Sequence, residues 1–293
     1  MRKGRIDTQL FSSCDVAAMA DLSRLSMNEV TVLPHWTLGQ AIDGLVRHGV
    51  PAISVWREKL HELGVAEAAR RIAGSGLKVS GICFTGMISS PDAAEAAWGM
   101  DDTRRAIEEA ATLESQCLIF LAGAVDARDK DLKATRARVL ERLSALIPDL
   151  RAAKVKLALE PLHPTACATR SVLSTVKLAN DWCDALAAED TFGVAIDVYT
   201  TWWDPEIESE IARAGKRICA FHVSDWLADT QDLRLDRGMM GDGVIDIPAL
   251  RRAVETAGYT GLIEVEIFSA RNWWKRDADE VVQVVKQRFQ SSV

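Results

Sequence analysis

Four ionisable side chains stand at the ends of four successive apolar runs in the second half of the chain. The runs are LALE, GVAID, ICAFH and LIEVE, and they end at Glu160, Asp197, His222 and Glu266. A charged group at the end of a buried run is costly unless it is paired, hydrogen-bonded or bound to a metal. One such residue is typical of a loop or a helix cap, whereas four in series predict a shared site. Three oxygen ligands with one imidazole suit a divalent ion of the Mn²⁺ or Mg²⁺ type, and Zn²⁺ less comfortably.

Eight apolar runs alternate with eight amphipathic stretches along the chain. Predicted strands lie near 23–33, 51–56, 77–84, 117–123, 155–160, 192–197, 217–223 and 261–267. Predicted helices lie near 37–48, 61–74, 100–115, 130–153, 170–187, 204–214, 247–257 and 277–289. This alternation favours an α/β fold with a parallel sheet, and eight repeats match a (β/α)8 TIM barrel, which would gather the four strand-end residues at one mouth. A doubly wound sheet competes, but no glycine-rich phosphate turn follows the first strand.

Length and composition fit one barrel domain over residues 21–293, preceded by an N-terminal extension over residues 1–20. The 293 residues are 48% apolar and carry a net charge of −7, which disfavours a nucleic-acid partner because phosphate binding needs a basic surface. No apolar stretch approaches the roughly 20 residues of a membrane span. Six cysteines without a CxxC pair predict no disulfide network and a cytoplasmic location.

A family resemblance is carried by ALEPLHP, AIDVYTTWWDP, FHVSDW, RGMMGDGVIDIPAL and GYTGLIEVEIFSARNWW. In order and spacing these segments resemble the sugar phosphate isomerase/epimerase family of xylose isomerase-like TIM barrels, within the AP endonuclease family 2 superfamily. The resemblance implies that Glu160, Asp197, His222 and Glu266 bind one divalent metal ion, with Mn²⁺ favoured and Mg²⁺, Co²⁺ and Zn²⁺ as alternatives. It also implies that Glu160 and Glu266 form the catalytic acid/base pair, and that the chain forms a homodimer or homotetramer.

The resemblance implies a metal-dependent isomerase or epimerase that acts on a small sugar, cyclitol or sugar phosphate through an enediolate. A metal that bridges a carbonyl and the neighbouring hydroxyl acidifies the adjacent C–H. An inosose-type dehydratase and a metal-free sugar-binding protein on a degenerate barrel remain alternatives. Thr200 departs from the family pattern, because many relatives carry a histidine there. Asp242 stands where a glutamate is frequent.

Further pocket residues are predicted from their places near the strand ends. Arg237 can bind a phosphate or carboxylate in a bidentate manner or brace its loop, with Arg170 as a weaker parallel, and Glu264 is a fallback metal ligand one layer deeper. Aromatic faces such as Trp202 stack on the C–H side of sugar rings. The predicted substrate-binding residues are His163, Thr200, Arg237, Trp202, Asn28 and Trp56.

Overall fold

The structure, a computed structural model, describes residues 21–293, so the predicted extension over residues 1–20 lies outside the described residues. Eight strands close into a barrel in which each strand pairs in parallel with the next and β8 pairs with β1. The strands are β1 Leu25–Asn28, β2 Ala52–Trp56, β3 Lys78–Gly86, β4 Leu118–Leu121, β5 Leu157–Leu159, β6 Phe192–Asp197, β7 Ile218–Val223 and β8 Ile263–Val265. The predicted TIM barrel is confirmed. Every predicted strand overlaps an observed one, and β3 extends two residues beyond its predicted end at residue 84.

Helices follow the strands around the barrel. They are α1 Leu38–Arg47, α2 Arg57–Leu63, α3 Val65–Ser75, α4 Ala93–Thr112, α5 Leu132–Ala145, α6 Ile147–Ala153, α7 Val176–Leu186, α8 Val198–Thr201, α9 Ile207–Ala214, α10 Ile247–Thr256 and α11 Ala278–Ser292. Within residues 21–293, no helix combines the length and the apolar character needed to cross a membrane.

Local capping explains where the observed helices differ from the predicted ones. The helix predicted at 61–74 is two helices, because Gly64 between them adopts a φ of 91°, which a residue with a side chain rarely adopts. The helix predicted at 130–153 is also divided, and Pro148 lies in the first turn of its second part. The helix predicted at 100–115 begins earlier, at Ala93, because the side chain of Asp92 accepts hydrogen bonds from two backbone N–H groups of the first turn.

The barrel interior is built from small apolar residues, with a polar layer among them. Its apolar cluster includes Cys83, Ala158 and Ala220, and the hydroxyl of Ser80 donates a 2.8 Å hydrogen bond to Glu264 within the same interior. The register between β6 and β7 pairs Asp197 with His222, and the register between β7 and β8 pairs His222 with Glu264. Small interior side chains therefore leave room at the carboxyl ends of the strands, where the predicted site residues meet.

Glu29, directly after β1, is a buried acid outside the predicted site. One of its carboxylate oxygens accepts a 3.1 Å hydrogen bond from the backbone N–H of Trp56, and the other has no partner among the described residues. Burial raises the pKa of Glu29 from 4.5 to about 8, although the hydrogen bond from Trp56 opposes the shift. Between these two pH values the folded state keeps a proton that the unfolded state has lost. The free energy of unfolding therefore falls as the pH rises from 4.5 to 8.

Glu29→Gln is expected to remove this pH-dependent loss, because the amide keeps an acceptor for Trp56 and never ionises. The variant should gain stability over the wild type progressively between pH 5 and pH 8, reaching on the order of 3 kcal/mol. Urea unfolding at pH 5 and pH 8.5 measures the difference, and the control is Glu108→Gln, because Glu108 is exposed. A difference between Glu29→Gln and the wild type that is the same at both pH values contradicts the expectation.

Candidate metal centre and substrate cavity

Three of the four predicted metal ligands converge at the carboxyl ends of the strands. The possible ligand atoms of Glu160, His222 and Glu266 lie within 4.8 Å of one another, and all three residues are buried. The Nδ1 atom of His222 is 3.1 Å from a carboxylate oxygen of Glu160 and 3.9 Å from one of Glu266. Glu160 follows β5, His222 is the last residue but one of β7, and Glu266 follows β8. Because these strands run in one direction, the three residues meet at the same mouth of the barrel.

Asp197, the fourth predicted ligand, lies beside this group and is held by other partners. Its Oδ1 atom caps the short helix α8 by accepting a 2.9 Å hydrogen bond from the backbone N–H of Tyr199, the second residue of that helix. Its Oδ2 atom is 3.2 Å from Nη1 of Arg237. The same Nη1 is 3.1 Å from Glu266, so Arg237 connects Asp197 to the three-residue group.

Arg237 is a fixed positive charge between two carboxylates and two aromatic rings. Its guanidinium carbon lies 4.3 Å from the ring centroid of Tyr199 and 4.9 Å from that of Phe268. Burial alone would lower the pKa of Arg237, but Asp197 and Glu266 raise it further than burial lowers it. Arg237 was predicted either to brace its loop or to bind a substrate anion. Its contacts with Asp197 and Glu266 correspond to the bracing role, and binding of a substrate anion stays a prediction.

Two members of this group, Glu266 and His222, have pKa values raised above their ordinary ranges. Burial raises the pKa of Glu266 to about 8, against the opposing charges of Arg237 and His222. Burial acts to lower the pKa of His222, but Glu264 and Glu160 outweigh burial and raise it well above 6.5. A divalent ion must therefore displace protons from this group, as is usual for metal sites.

Asn28 and Glu264 lie behind the predicted metal ligands and contact Glu266 and His222. Asn28 donates hydrogen bonds of 2.7 Å to Glu264 and 3.2 Å to Glu266, and its oxygen accepts a 2.7 Å hydrogen bond from Nε1 of Trp56. Glu264 points into the barrel and lies 3.7 Å from Nε2 of His222, a nitrogen without a hydrogen-bond partner among the described residues. Asn28, predicted to touch substrate, therefore orients Glu266 and Trp56, and Glu264 sits in the deeper layer where it was predicted.

The metal centre opens into a cavity of about 310 Å³. This is the lower end of the size range of small-molecule sites. Predicted residues in its wall are Glu160, Asp197, Glu266, Trp56, His163, Thr200 and Arg237. Wall residues that were not predicted include the aromatic residues Phe84, Tyr199 and Phe268 and the cation Arg234. Phe268 lies two residues after Glu266, and this same-face spacing is the signal that could have identified it.

Thr200 and His163 both line the cavity, and the Thr200 hydroxyl and Nδ1 of His163 already have hydrogen-bond partners. The Thr200 hydroxyl donates to the carbonyl of Pro161 over 2.7 Å, so it braces the loop after β5. Nδ1 of His163 accepts a 3.3 Å hydrogen bond from the backbone N–H of Thr165, which leaves the proton of the neutral ring on Nε2. Burial lowers the pKa of His163 below 6.5, so the ring is uncharged at neutral pH.

Trp202 is the predicted substrate residue that the structure separates from the others. Among the described residues it is not in the cavity wall; it packs on the outer core with its ring 5.8 Å from that of Trp226. Nε1 of its neighbour Trp203 donates to the carbonyl of Thr200. Packing of the loop after β6 thus places Trp202 outside the cavity wall.

The residues present fit a divalent ion. Two carboxylates and one imidazole nitrogen face one another, and Glu160 and Glu266 also form part of the cavity wall, so an ion at this position has a side open to substrate. Oxygen-rich donor sets with one imidazole are typical of Mn²⁺ and related ions. The fold and the site together define a TIM-barrel protein whose mouth carries a group of two glutamates and one histidine that fits a divalent ion.

Comparison with known families agrees with that class. Residues 42–288 match the family model described as xylose isomerase-like TIM barrel, and the chain belongs to this family. A curated relative from Bacillus velezensis, inosose isomerase, is 22% identical over 284 residues, which cover 92% of this chain and 97% of the relative.

Two solved structures share the whole fold. Protein SMc04130 from Sinorhizobium meliloti 1021 is 44% identical, with a TM-score of 0.90, over 93% of this chain and 99% of its own. The IolI protein with a bound zinc atom is 20% identical, with a TM-score of 0.80, over 92% of this chain and 98% of its own. At 20% identity, the similarity to the IolI structure supports the fold alone.

Proposed function

We propose that this protein is a metal-dependent isomerase or epimerase of a small sugar or cyclitol ketone. The observation that carries the proposal is the convergence of Glu160, His222 and Glu266 at a cavity of about 310 Å³. Burial raises the pKa of Glu266 to about 8, which suits a carboxylate that transfers protons near neutral pH. The relative named inosose isomerase supports a ketone of this class as the substrate.

The chain's own residues supply orientation and proton transfer. A divalent ion held by Glu160, His222 and Glu266, with Asp197 as the fourth ligand, would act as a Lewis acid on the substrate carbonyl and its neighbouring hydroxyl. Glu160 and Glu266 would take and return the proton at the adjacent carbon. Trp56 and Phe268, whose rings are 5.7 Å apart, offer apolar faces to the C–H side of the substrate and exclude water.

Mn²⁺ is the ion that we favour for this centre. Three carboxylates and one imidazole offer mainly hard oxygen ligands, which Mn²⁺ accepts together with nitrogen. Zn²⁺, the ion in the IolI structure, is the main competitor. Analysis of protein purified without added metal, followed by activity after reloading with each ion, distinguishes them.

Hydrogen exchange in D₂O tests the proposed reaction. Metal-loaded protein is incubated with a panel of ketoses and inososes and followed by NMR. Deuterium at the carbon next to the carbonyl, lost when EDTA removes the ion, is the expected result. Loss of water from an inosose would instead identify a dehydratase. Absence of both from every member of the panel would contradict an enzymatic role on these substrates.

A further inference from the structure

Two arginines in the cavity wall form no ion pair with any residue of the described part of the chain. Arg170 lies on the loop after β5 and Arg234 on the loop after β7, and both line the cavity that holds the metal centre. Within residues 21–293, neither guanidinium takes part in an ion pair or a side-chain hydrogen bond. Arg237 in the same wall, by contrast, is paired with two carboxylates. A guanidinium that lines a cavity without a partner is suited to bind an anionic group of a ligand.

The backbone around Arg234 is fixed in place from several sides. The carbonyl of Leu233 accepts a 3.2 Å hydrogen bond from the hydroxyl of Tyr199, and the carbonyl of Leu235 accepts one of 2.8 Å from Ala270. Two acids lie two residues from Arg234. Asp232 accepts the backbone N–H groups of Arg234 and Leu235, and Asp236 accepts the backbone N–H of Gln231. The loop therefore presents Arg234 from a prearranged backbone, and Asp232 holds the main chain instead of the guanidinium.

Arg170 is held over an aromatic ring. Its guanidinium carbon lies 5.4 Å from the ring centroid of Phe84, and its backbone N–H donates a 2.8 Å hydrogen bond to Ala166. Burial lowers the pKa of Arg170 and the charge of Arg234 lowers it further, while the more distant charges of Glu160 and Glu266 oppose this shift without forming an ion pair with Arg170. The two cations thus act on each other across the mouth, an unfavourable arrangement that a bound anion would relieve.

The charge of the whole cavity wall also favours an anion once a metal is present. With every group ionised, the three arginines and four carboxylates of the wall sum to −1 (Arg170, Arg234, Arg237, Glu160, Asp197, Asp232 and Glu266). A divalent ion changes this sum to +1. The metal-loaded cavity is then positive in a chain whose net charge is −7.

We infer that Arg170 and Arg234 form an anion-binding subsite, and that the substrate turned over at the proposed metal centre carries a phosphate or carboxylate group. The inference rests on the proposed function for the reaction, but the subsite itself requires only the two guanidinium groups. The reacting carbonyl end of such a substrate faces Glu160 and Glu266, and its anionic end faces the mouth.

Calorimetric titration of Mn²⁺-loaded protein tests the subsite. The probes are D-fructose, D-fructose 6-phosphate, D-fructuronate and inorganic phosphate. We expect at least one of the two anionic ketoses to bind ten or more times as tightly as D-fructose, and the preferred anion identifies the group. Arg170→Gln and Arg234→Gln should each reduce that preference about tenfold and leave D-fructose binding within twofold. Arg252→Gln, an exposed arginine on α10, should change neither.

Two outcomes would overturn the inference. One is equal affinity of the wild type for neutral and anionic ketoses. The other is an unchanged preference for the anionic ketose in the double variant that carries both Arg170→Gln and Arg234→Gln. If no ketose binds, the affinity for inorganic phosphate tests the subsite. The wild type should bind phosphate more tightly than the double variant, and equal affinities would contradict the inference. Deuterium exchange on the same samples separates the two proposals. If deuterium exchanges into D-fructose but anionic ketoses bind no more tightly, the proposed function is supported and the anion subsite is contradicted. If anions bind tightly but no ketose exchanges deuterium, the subsite is supported and the proposed function is contradicted.

Discussion

Glu160→Gln is expected to weaken binding of the divalent ion at least about 100-fold and to slow hydrogen exchange by about 10²–10⁴-fold. The amide keeps the shape of the side chain but removes a charge that lies 3.1 Å from Nδ1 of His222. It also cannot accept the substrate proton. Both the ligand set and the acid/base pair therefore lose a member in one substitution.

Metal titration and exchange rates at pH 8 measure this effect, because near that pH Glu266, with a pKa of about 8, gives up its proton readily. Glu208→Gln on α9 is the matched control, since Glu208 is exposed. The assignment of Glu160 is contradicted if the variant retains one ion per chain and exchanges at the wild-type rate. Reduced exchange with full metal occupancy would limit Glu160 to the acid/base role.

Asp225→Asn is expected to lower the free energy of unfolding by about 3–5 kcal/mol. Asp225 is buried in the loop after β7, and its Oδ1 atom accepts backbone N–H groups of Trp226 and Ile245. Its Oδ2 atom accepts those of Gly241 and Gly243, each over 2.9 Å. An asparagine in either orientation turns an NH₂ group toward two buried donors, which leaves them unpaired.

The same substitution should also weaken metal binding, because this loop carries Arg237. Urea unfolding and metal titration follow the two effects. Asp229→Asn, in the same loop but exposed, is the control and should stay within about 0.5 kcal/mol of the wild type. Equal stability of the two variants would show that the four hydrogen bonds do not hold the loop.

The barrel and the strand-end positions could be predicted because they depend on local pattern. Buried parallel strands read as short apolar runs, and the polar residue that ends each run lies at the same mouth. Glu160, His222 and Glu266 follow from that rule alone. Boundaries of the helices were less accurate where a cap or a single residue decided them, as Asp92 and Gly64 do.

The rest of the site depends on long loops whose conformation has no short-range signal. Arg237 reaches Asp197 across 40 residues of sequence, because Asp225 organises the loop between them. The outward packing of Trp202 and the inward position of Phe84 likewise follow from tertiary contacts. Arg234 could be suspected from its place three residues before Arg237, but its lack of a partner is visible only in three dimensions.

A crystal structure of the Mn²⁺-loaded protein with an anomalous difference map tests the central claim most directly. We predict one strong peak among Glu160, His222 and Glu266, with Asp197 released from Arg237 to complete the ligand set. A peak at any other position, or none at saturating Mn²⁺, would contradict the assignment of this group as the metal centre.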